Sequence, residues 1–366
     1  MIARLATLLT ILAAALAAST LPRPEAPIVH EWGTFTSIAS EDGGALEWRP
    51  LNGPIDLPGF VLSTCLERRF NIKLNWRARI RMETPVLYFY TSRETTVSVR
   101  VDFPKGQISE WYPQARWIGQ GIDWGPIEIS PAASAAFPVD GSENHYYAAR
   151  ETDAATVRVS GQQEKFLFYR GLGNFDPPLS VRRDGNRLRL KNLGGVQAVI
   201  VFENRGGKTG YVVQDITQSE LTLDRPTLGR PADSVEGELE RILIAHGLYE
   251  KEAKAMIRTW RNSWFEEGLR VFYVVPSEVT DSVLPLTIDP RPAELVRVLV
   301  GRIEVITPEM EDAVRAALSG GSTALGKYGR FSEPLLLRLL QTAPDPATRA
   351  QIQQLLNSSN AVPACR

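Results

Sequence analysis

Three histidines, two cysteines and a scatter of carboxylates set the chemistry open to this 366-residue chain. His30, His145 and His246 are the imidazoles, and no two of them stand at the i, i+4 spacing that marks a metal pair on a helix, so neither a metal nor a cofactor is expected. His246 precedes Gly247 at the end of an apolar-periodic segment, where a cation suits the helix dipole, and it reads as structural. His30 and Glu31 are neighbours on a strand and must point to opposite faces, so they cannot act together directly. His145, in SENHYYAAR, has Glu143, Asn144, Tyr146 and Tyr147 around it and is a candidate catalytic acid, base or ligand. Its competing reading is a hydrogen-bonded histidine at a strand end.

Paired carboxylates would serve glycoside cleavage, which needs two of them across one bond, one with a raised pKa. Glu31, Glu47, Glu83, Glu110 and Glu203 all lie beside aromatic or apolar residues. Glu83 and Glu110 are the catalytic candidates. In RMETPVLYFY, Glu83 interrupts a burial-prone strand, and a buried carboxylate must be paired or protonated. Arg79, Arg81 or an arginine from a neighbouring strand would instead make it a structural ion pair. No G-x-S-x-G elbow or S-x-x-K box stands in a suitable context. GSTALGKY, at residues 321 to 328, imitates a phosphate loop but ends on Tyr328 where a hydroxyl residue should bind Mg²⁺, and it follows a helix rather than a strand.

ISEWYPQARWIGQGIDWGP is the strongest local peculiarity, placing Trp111, Tyr112, Trp117 and Trp124 among Gly, Pro and Gln. In an exported protein such rings could stack on sugars or grip an apolar peptide, with Glu110, Arg116 and Asp123 supplying hydrogen bonds. The alternative is that they plug one end of the sheet packing and bury themselves. Trp260 and Trp264, spaced i, i+4, read as core packing against LRVFYVV. Glu266 and Glu267 oppose the dipole at the end of that helix, an oddity that nearby arginines would explain.

The elements that must position these residues fall into three stretches. From Val29 to about Thr222 the segments are short, β-branched or aromatic, and bounded by Gly, Pro, Asn or Asp, as strands are. Asp184-Gly185-Asn186 and residues 204 to 208 carry residues suited to positive φ and predict two hairpins. Near Asp233 the period changes to 3.6, with Asp233 as N-cap and Glu236 three residues on. A helix to Gly247 follows, then a second from Glu250 to Glu267 and the strand LRVFYVV. LVRVLVGRIEVI shifts its apolar register at Gly301 and predicts a bulge, and Thr307-Pro308-Glu309 starts another helix. Residues 332 to 340 and 346 to 356 read as a helical hairpin. The expected fold is α+β, mainly β: an antiparallel β-sandwich-like domain at residues 20 to 232, a mixed α/β region at 233 to 330 and a helical hairpin tail at 331 to 366.

Residues 1 to 19 read as a signal peptide, with Arg4, an apolar run from Leu5 to about Leu16, and small residues at Ala15, Ala17 and Ala18. The run is short of the roughly 20 residues a membrane-spanning helix needs, although an uncleaved anchor is the alternative. A periplasmic or secreted location follows, with no membrane span after cleavage. Export would let Cys65 and Cys365 pair as a disulfide closing a loop of about 300 residues; two unpaired thiols are the alternative. With 41 Lys+Arg against 42 Asp+Glu, no cationic excess favours nucleic acid, and two cysteines exclude zinc-finger arrays and iron–sulfur clusters. Three functions stay open: a carbohydrate- or peptide-binding module centred on Trp111 to Trp124, a polymer hydrolase using Glu83, Glu110 or His145, and a structural partner docking through its C-terminal helices.

Overall fold

The computed structural model describes residues 26–51, 56–64, 76–131, 136–318, 325–343 and 345–358. Alternating β-branched and aromatic positions produce eighteen strands among them. These are β1 (Ile28–Ala39), β2 (Leu62–Ser63), β3 (Ile80–Tyr90), β4 (Thr95–Asp102), β5 (Gly106–Tyr112), β6 (Trp117–Gly119), β7 (Gly121–Ser130), β8 (Thr156–Val159) and β9 (Gln162–Glu164). They continue with β10 (Leu167–Gly173), β11 (Leu179–Asp184), β12 (Arg187–Asn192), β13 (Ala198–Arg205), β14 (Lys208–Asp215), β15 (Glu220–Asp224), β16 (Gly268–Val274), β17 (Leu286–Asp289) and β18 (Glu294–Val305). Helices α1 (Ala232–Ala245), α2 (Glu250–Trp264), α3 (Ser277–Val283), α4 (Pro308–Ala317), α5 (Ser332–Thr342) and α6 (Pro346–Ser358) complete a β-rich mixed fold.

The strands form three sheets. The largest runs β14-β13-β16-β18-β1-β3-β10-β5-β2, so strands from both sides of residue 232 share it. Its centre is a parallel pair: β1 lies along the whole of β18, from Ile28 opposite Glu294 to Ala39 opposite Val305. One face packs on the two smaller sheets through Phe35, Met82, Leu167 and Ile303 against Val99, Ile127 and Leu190. The opposite face takes α1 and α2 through Trp32, Val86, Phe168 and Val298 against Leu243, Met256, Trp260 and Trp264. Helices α4, α5 and α6 close a separate apolar cluster around Val314, Leu336 and Ile352.

Both expected hairpin turns form, with Gly185 at φ +59° between β11 and β12 and Gly206 and Gly207 at +60° and +78° between β13 and β14. Helix α1 starts two residues earlier than expected, with Pro231 rather than Asp233 as N-cap, which leaves Asp233 in the first turn where its charge still favours the dipole. Helix α2 ends at Trp264, short of Glu267. No bulge forms at Gly301. Strand β18 keeps its register with both neighbours, and the residue is glycine because a Cβ there would run into the Tyr273 ring of β16. No disulfide is present among the described residues, and Cys65 and Cys365 both lie outside them, so the expected bridge is set aside. No helix among the described residues is long and apolar enough to cross a membrane.

Candidate functional site

The face of the large sheet that carries α1 and α2 is apolar over one half and charged over the other. Cross-strand partners share a face, so the register reads out its rows. Trp32 stands opposite Val86 and Val298; one row on, Thr34 faces Glu83; the next row holds Thr36, Arg81 and Arg302; and Ile38 then meets Glu304 beside Arg270. On β10 and β5, Arg170 stands opposite Glu110. A polar centre therefore sits on β3, β1, β18 and β10, beyond the point where the aromatic helix packing stops.

The backbone is strained at this place. Thr84 has φ +42°, an uncommon conformation for a β-branched residue, and the β1–β3 register shifts between Trp32 and Thr34. Gly33 lies against the kink, where a Cβ would stand 2.9 Å from the Pro85 Cα, so only glycine allows the two strands to close.

Glu83 is fully buried. Its Oε1 lies 2.6 Å from Arg330 Nη1 and 3.3 Å from Arg81 Nε, although neither contact has hydrogen-bond geometry. Arg330 arrives from a 3-10 turn, Gly326–Phe331, that folds across the charged half of the sheet. Its Nη2 donates to Ser263 Oγ at 2.8 Å, and Arg302 Nη1 donates to the same oxygen at 2.6 Å. Arg302 also holds Glu266 at 2.8 Å and Glu304 at 2.5 Å, and Arg270 donates to Glu304 and to the carbonyls of Trp264, Glu266 and Glu267. Arg302 thus accounts for the Glu266 carboxylate at the end of α2, while Arg270 meets the Glu267 backbone carbonyl.

On the other side, Arg170 donates to Asp56 at 2.7 Å and to His145 Nε2 at 3.3 Å. Arginine only donates, so Nε2 is the acceptor and His145 is the neutral tautomer protonated on Nδ1. The His145 ring lies 5.4 Å from Trp260, over which the Arg170 guanidinium also sits at 5.9 Å. Asp56, 33% exposed, forms the rim.

Electrostatics fix the protonation states. Burial works to raise the Glu83 carboxyl, yet Arg330, Arg81, Arg302 and Arg170 together hold it below its ordinary range. Asp56 is likewise held well down against burial, by Arg170 and Arg81. Burial, followed by Arg170, pushes His145 down to about 4.

The catalytic candidates Glu83, Glu110 and His145 are thus all gathered around Arg170, whereas the aromatic candidates are not gathered into a platform. Trp111 is fully buried between the sheets, and Trp124 is 3% exposed, with its indole donating to the Pro113 carbonyl at 3.1 Å. Tyr112 packs under Phe60 at 5.0 Å between ring centres. Trp117 does face solvent, at 44%, with the Arg100 guanidinium 5.5 Å from its ring, and Arg116 pairs with Asp123 at 2.9 Å nearby. Trp111 and Trp124 stand on strand positions that alternate inward, and alternation overrides the turn-like composition around them. Arg170, Arg302, Arg330, Asp56, Thr34 and Ser263 belong to the centre and were not expected. A detectable signal existed for two of them: Arg170 in KFLFYRGL and Arg302 in LVGRIEV each interrupt an apolar strand as Glu83 does. The cluster holds no metal-site arrangement; among the described residues no three His, Cys, Asp or Glu side chains are placed to share an ion.

No protein-family model matches the chain, and no curated protein matches it. Among solved structures, the mu homology domain of zebrafish (Danio rerio) Fcho1 with bound Eps15 peptide matches at 8% identity and a TM-score of 0.31, covering 79% of this chain and 100% of that chain. A likeness of that degree carries no argument about fold or role. The carbohydrate ligand expected from the sequence finds no support in any family or relative and is not carried further.

Proposed function

We propose that the chain is an exported binding protein for a small polar ligand, with the centre around Glu83 and Arg170 as its site. The observation that carries this reading is that, of the buried polar atoms without hydrogen-bond partners among the described residues, several cluster here: the hydroxyls of Thr34, Thr36 and Thr84, Nε of Arg170 and Arg81 and Nε1 of Trp260, beside the ion-paired Glu83. Buried polar groups are satisfied as a rule, because each one left over costs about 1–3 kcal/mol. A run of exceptions beside a strained residue and a bulge marks a site rather than a framework. Export rests on the leader-like residues 1 to 19.

Binding suits the centre better than acid–base hydrolysis. A general acid or base works best with a pKa near the operating pH. Glu83 and Asp56 are held ionised and His145 is held neutral throughout the neutral range. Docking through the C-terminal helices is also less favoured, since Phe331 stacks on Trp48 and Glu333 pairs with Arg49 within the chain.

Thermal-shift screening of the full-length mature protein against amino acids, organic acids, sugars, nucleotides and short peptides tests the reading. The expected result is a ligand whose stabilisation disappears in Thr34→Val. Release of product from a polymer substrate, lost in Glu83→Gln at a temperature where the variant is still folded, would overturn it in favour of hydrolysis.

A further inference from the structure

Of the groups left over at the polar centre three can only donate, three are hydroxyls that can donate or accept, and the two acceptors both belong to Glu83; this balance points to a ligand class. Arg170 spends Nη1 on Asp56 and Nη2 on His145, and its Nε–H is unmatched. Arg81 gives Nη1 to the Pro50 carbonyl, reaches Asp56 at 3.5 Å and leaves Nε–H without a hydrogen bond. The Trp260 indole N–H, which can only donate, is unmatched as well. Three threonine hydroxyls stand on or beside the same rows, each able to donate. Against these, the unmatched acceptors of the centre are the two Glu83 oxygens, already committed by charge to Arg330 and Arg81.

We propose that the polar centre binds an oxyanion, a carboxylate or phosphate group, that accepts from Arg170, Arg81, Thr34 and Trp260; this rests on the reading of the centre as the ligand site. The planar guanidinium matches such groups in shape, and a site already holding four arginines and few free acceptors favours a ligand rich in acceptors. Arg81, Arg170, Arg302 and Arg330 crowd on one carboxylate at Glu83, and three of them are at least nine-tenths buried. Burial, reinforced by Arg81 and Arg302, pushes Arg330 down to about 10, while Glu83 stays below the ordinary carboxylate range in spite of burial. Asp56 is the half-buried partner of Arg170. Its carboxylate covers Arg170 Nη1, and an incoming oxyanion would meet Nε instead.

Calorimetric titration of the full-length mature protein with inorganic phosphate, sulfate, succinate and galacturonate, with galactose and glycerol as neutral controls, tests the class. The variants are Thr34→Val, nearly isosteric and free of any hydrogen bond to lose, and Trp260→Phe. Supporting the proposal, at least one anion binds, the neutral controls do not, and each variant weakens binding five-fold or more while keeping the wild-type circular dichroism spectrum. The phosphate and carboxylate arms then say which oxyanion is preferred. If galactose or glycerol binds with the same sensitivity to the variants and the anions do not, the oxyanion class is overturned while the site stands. Anion binding indifferent to both variants also overturns it, since the anion then sits elsewhere. If no probe binds at millimolar concentration, the centre is a structural network, and both the class and the site reading are overturned.

Discussion

Replacing Glu83 by Gln removes one charge from a place where four guanidiniums face it, and the cost can be apportioned from the contacts. Arg81 keeps Asp56 and the Pro50 carbonyl, and Arg302 keeps Glu266 and Glu304. Arg330 loses its carboxylate and keeps Ser263 Oγ. Breaking a buried pair by removing one partner costs about 3–5 kcal/mol, and the loss here falls mainly on Arg330. For a large chain each kcal/mol is worth roughly 2 °C, so the variant should melt roughly 6–10 °C below wild type at pH 7. A second signature follows from pH. The folded carboxyl lies below its unfolded value of about 4.3, so the unfolded chain binds the extra proton. The stabilisation from Glu83 is therefore complete above that unfolded value and is lost as pH falls through the folded one, so wild type and variant should converge on acidification. Adding Arg330→Gln to Glu83→Gln should recover on the order of 1–3 kcal/mol, because it removes the stranded charge. Melting curves by circular dichroism at several pH values read all three quantities. A variant that melts within 1 °C of wild type at pH 7, or a gap that stays constant with pH, would refute the assignment of Glu83 as an ionised, buried partner.

Other residues give independent checks. His145 should titrate with a midpoint near pH 4 by its imidazole proton resonances, since burial and then Arg170 disfavour the cation; a midpoint at the ordinary value of about 6.5 would mean the Arg170 contact is absent. Iodide should quench a tryptophan component that Trp117→Phe removes and that Trp111→Phe and Trp124→Phe leave in place. Trp111→Ala should cost about 3–5 kcal/mol in urea unfolding, against roughly 0.5 kcal/mol or less for Trp117→Ala. Gly301→Ala should cost about 1–3 kcal/mol by overpacking on Tyr273; a bulged β18 would accept the methyl group at little cost.

Local chemistry was legible along the chain wherever a few neighbouring residues decide the outcome. Gly185, Gly206 and Gly207 turn their hairpins, Thr307 accepts from the Met310 amide as a helix cap, and Trp264 packs on Phe272 at 5.4 Å as its spacing implies. Pairing between distant segments was not legible. Nothing in IVHEWGTFTSIA states that it will lie parallel to a strand some 266 residues away, yet that pairing decides which side chains share a row with Thr36 and Ile38. The Trp111 to Trp124 segment shows how composition misleads: Gly and Pro suggested a loop, whereas Trp111 and Trp124 follow the strand alternation and are buried.

The polar centre lies between these two cases. A lone charge inside an apolar strand is costly unless paired, so each one implies a partner. Glu83 in RMETPVLYFY, Arg170 in KFLFYRGL, Arg270 in GLRVFYVV and Arg302 in LVGRIEV are four such interruptions in strands of one sheet. Two opposite demands, a carboxylate needing cations and three arginines needing anions, are met when those strands lie side by side. Taken singly, Glu83 has several partners in its own neighbourhood; the four become one charged half-face only when β3, β10, β16 and β18 are joined in one sheet. What they cannot supply is Arg330, 247 positions from Glu83 and carried in by a turn that crosses the sheet. That contact joins the C-terminal helices to the centre.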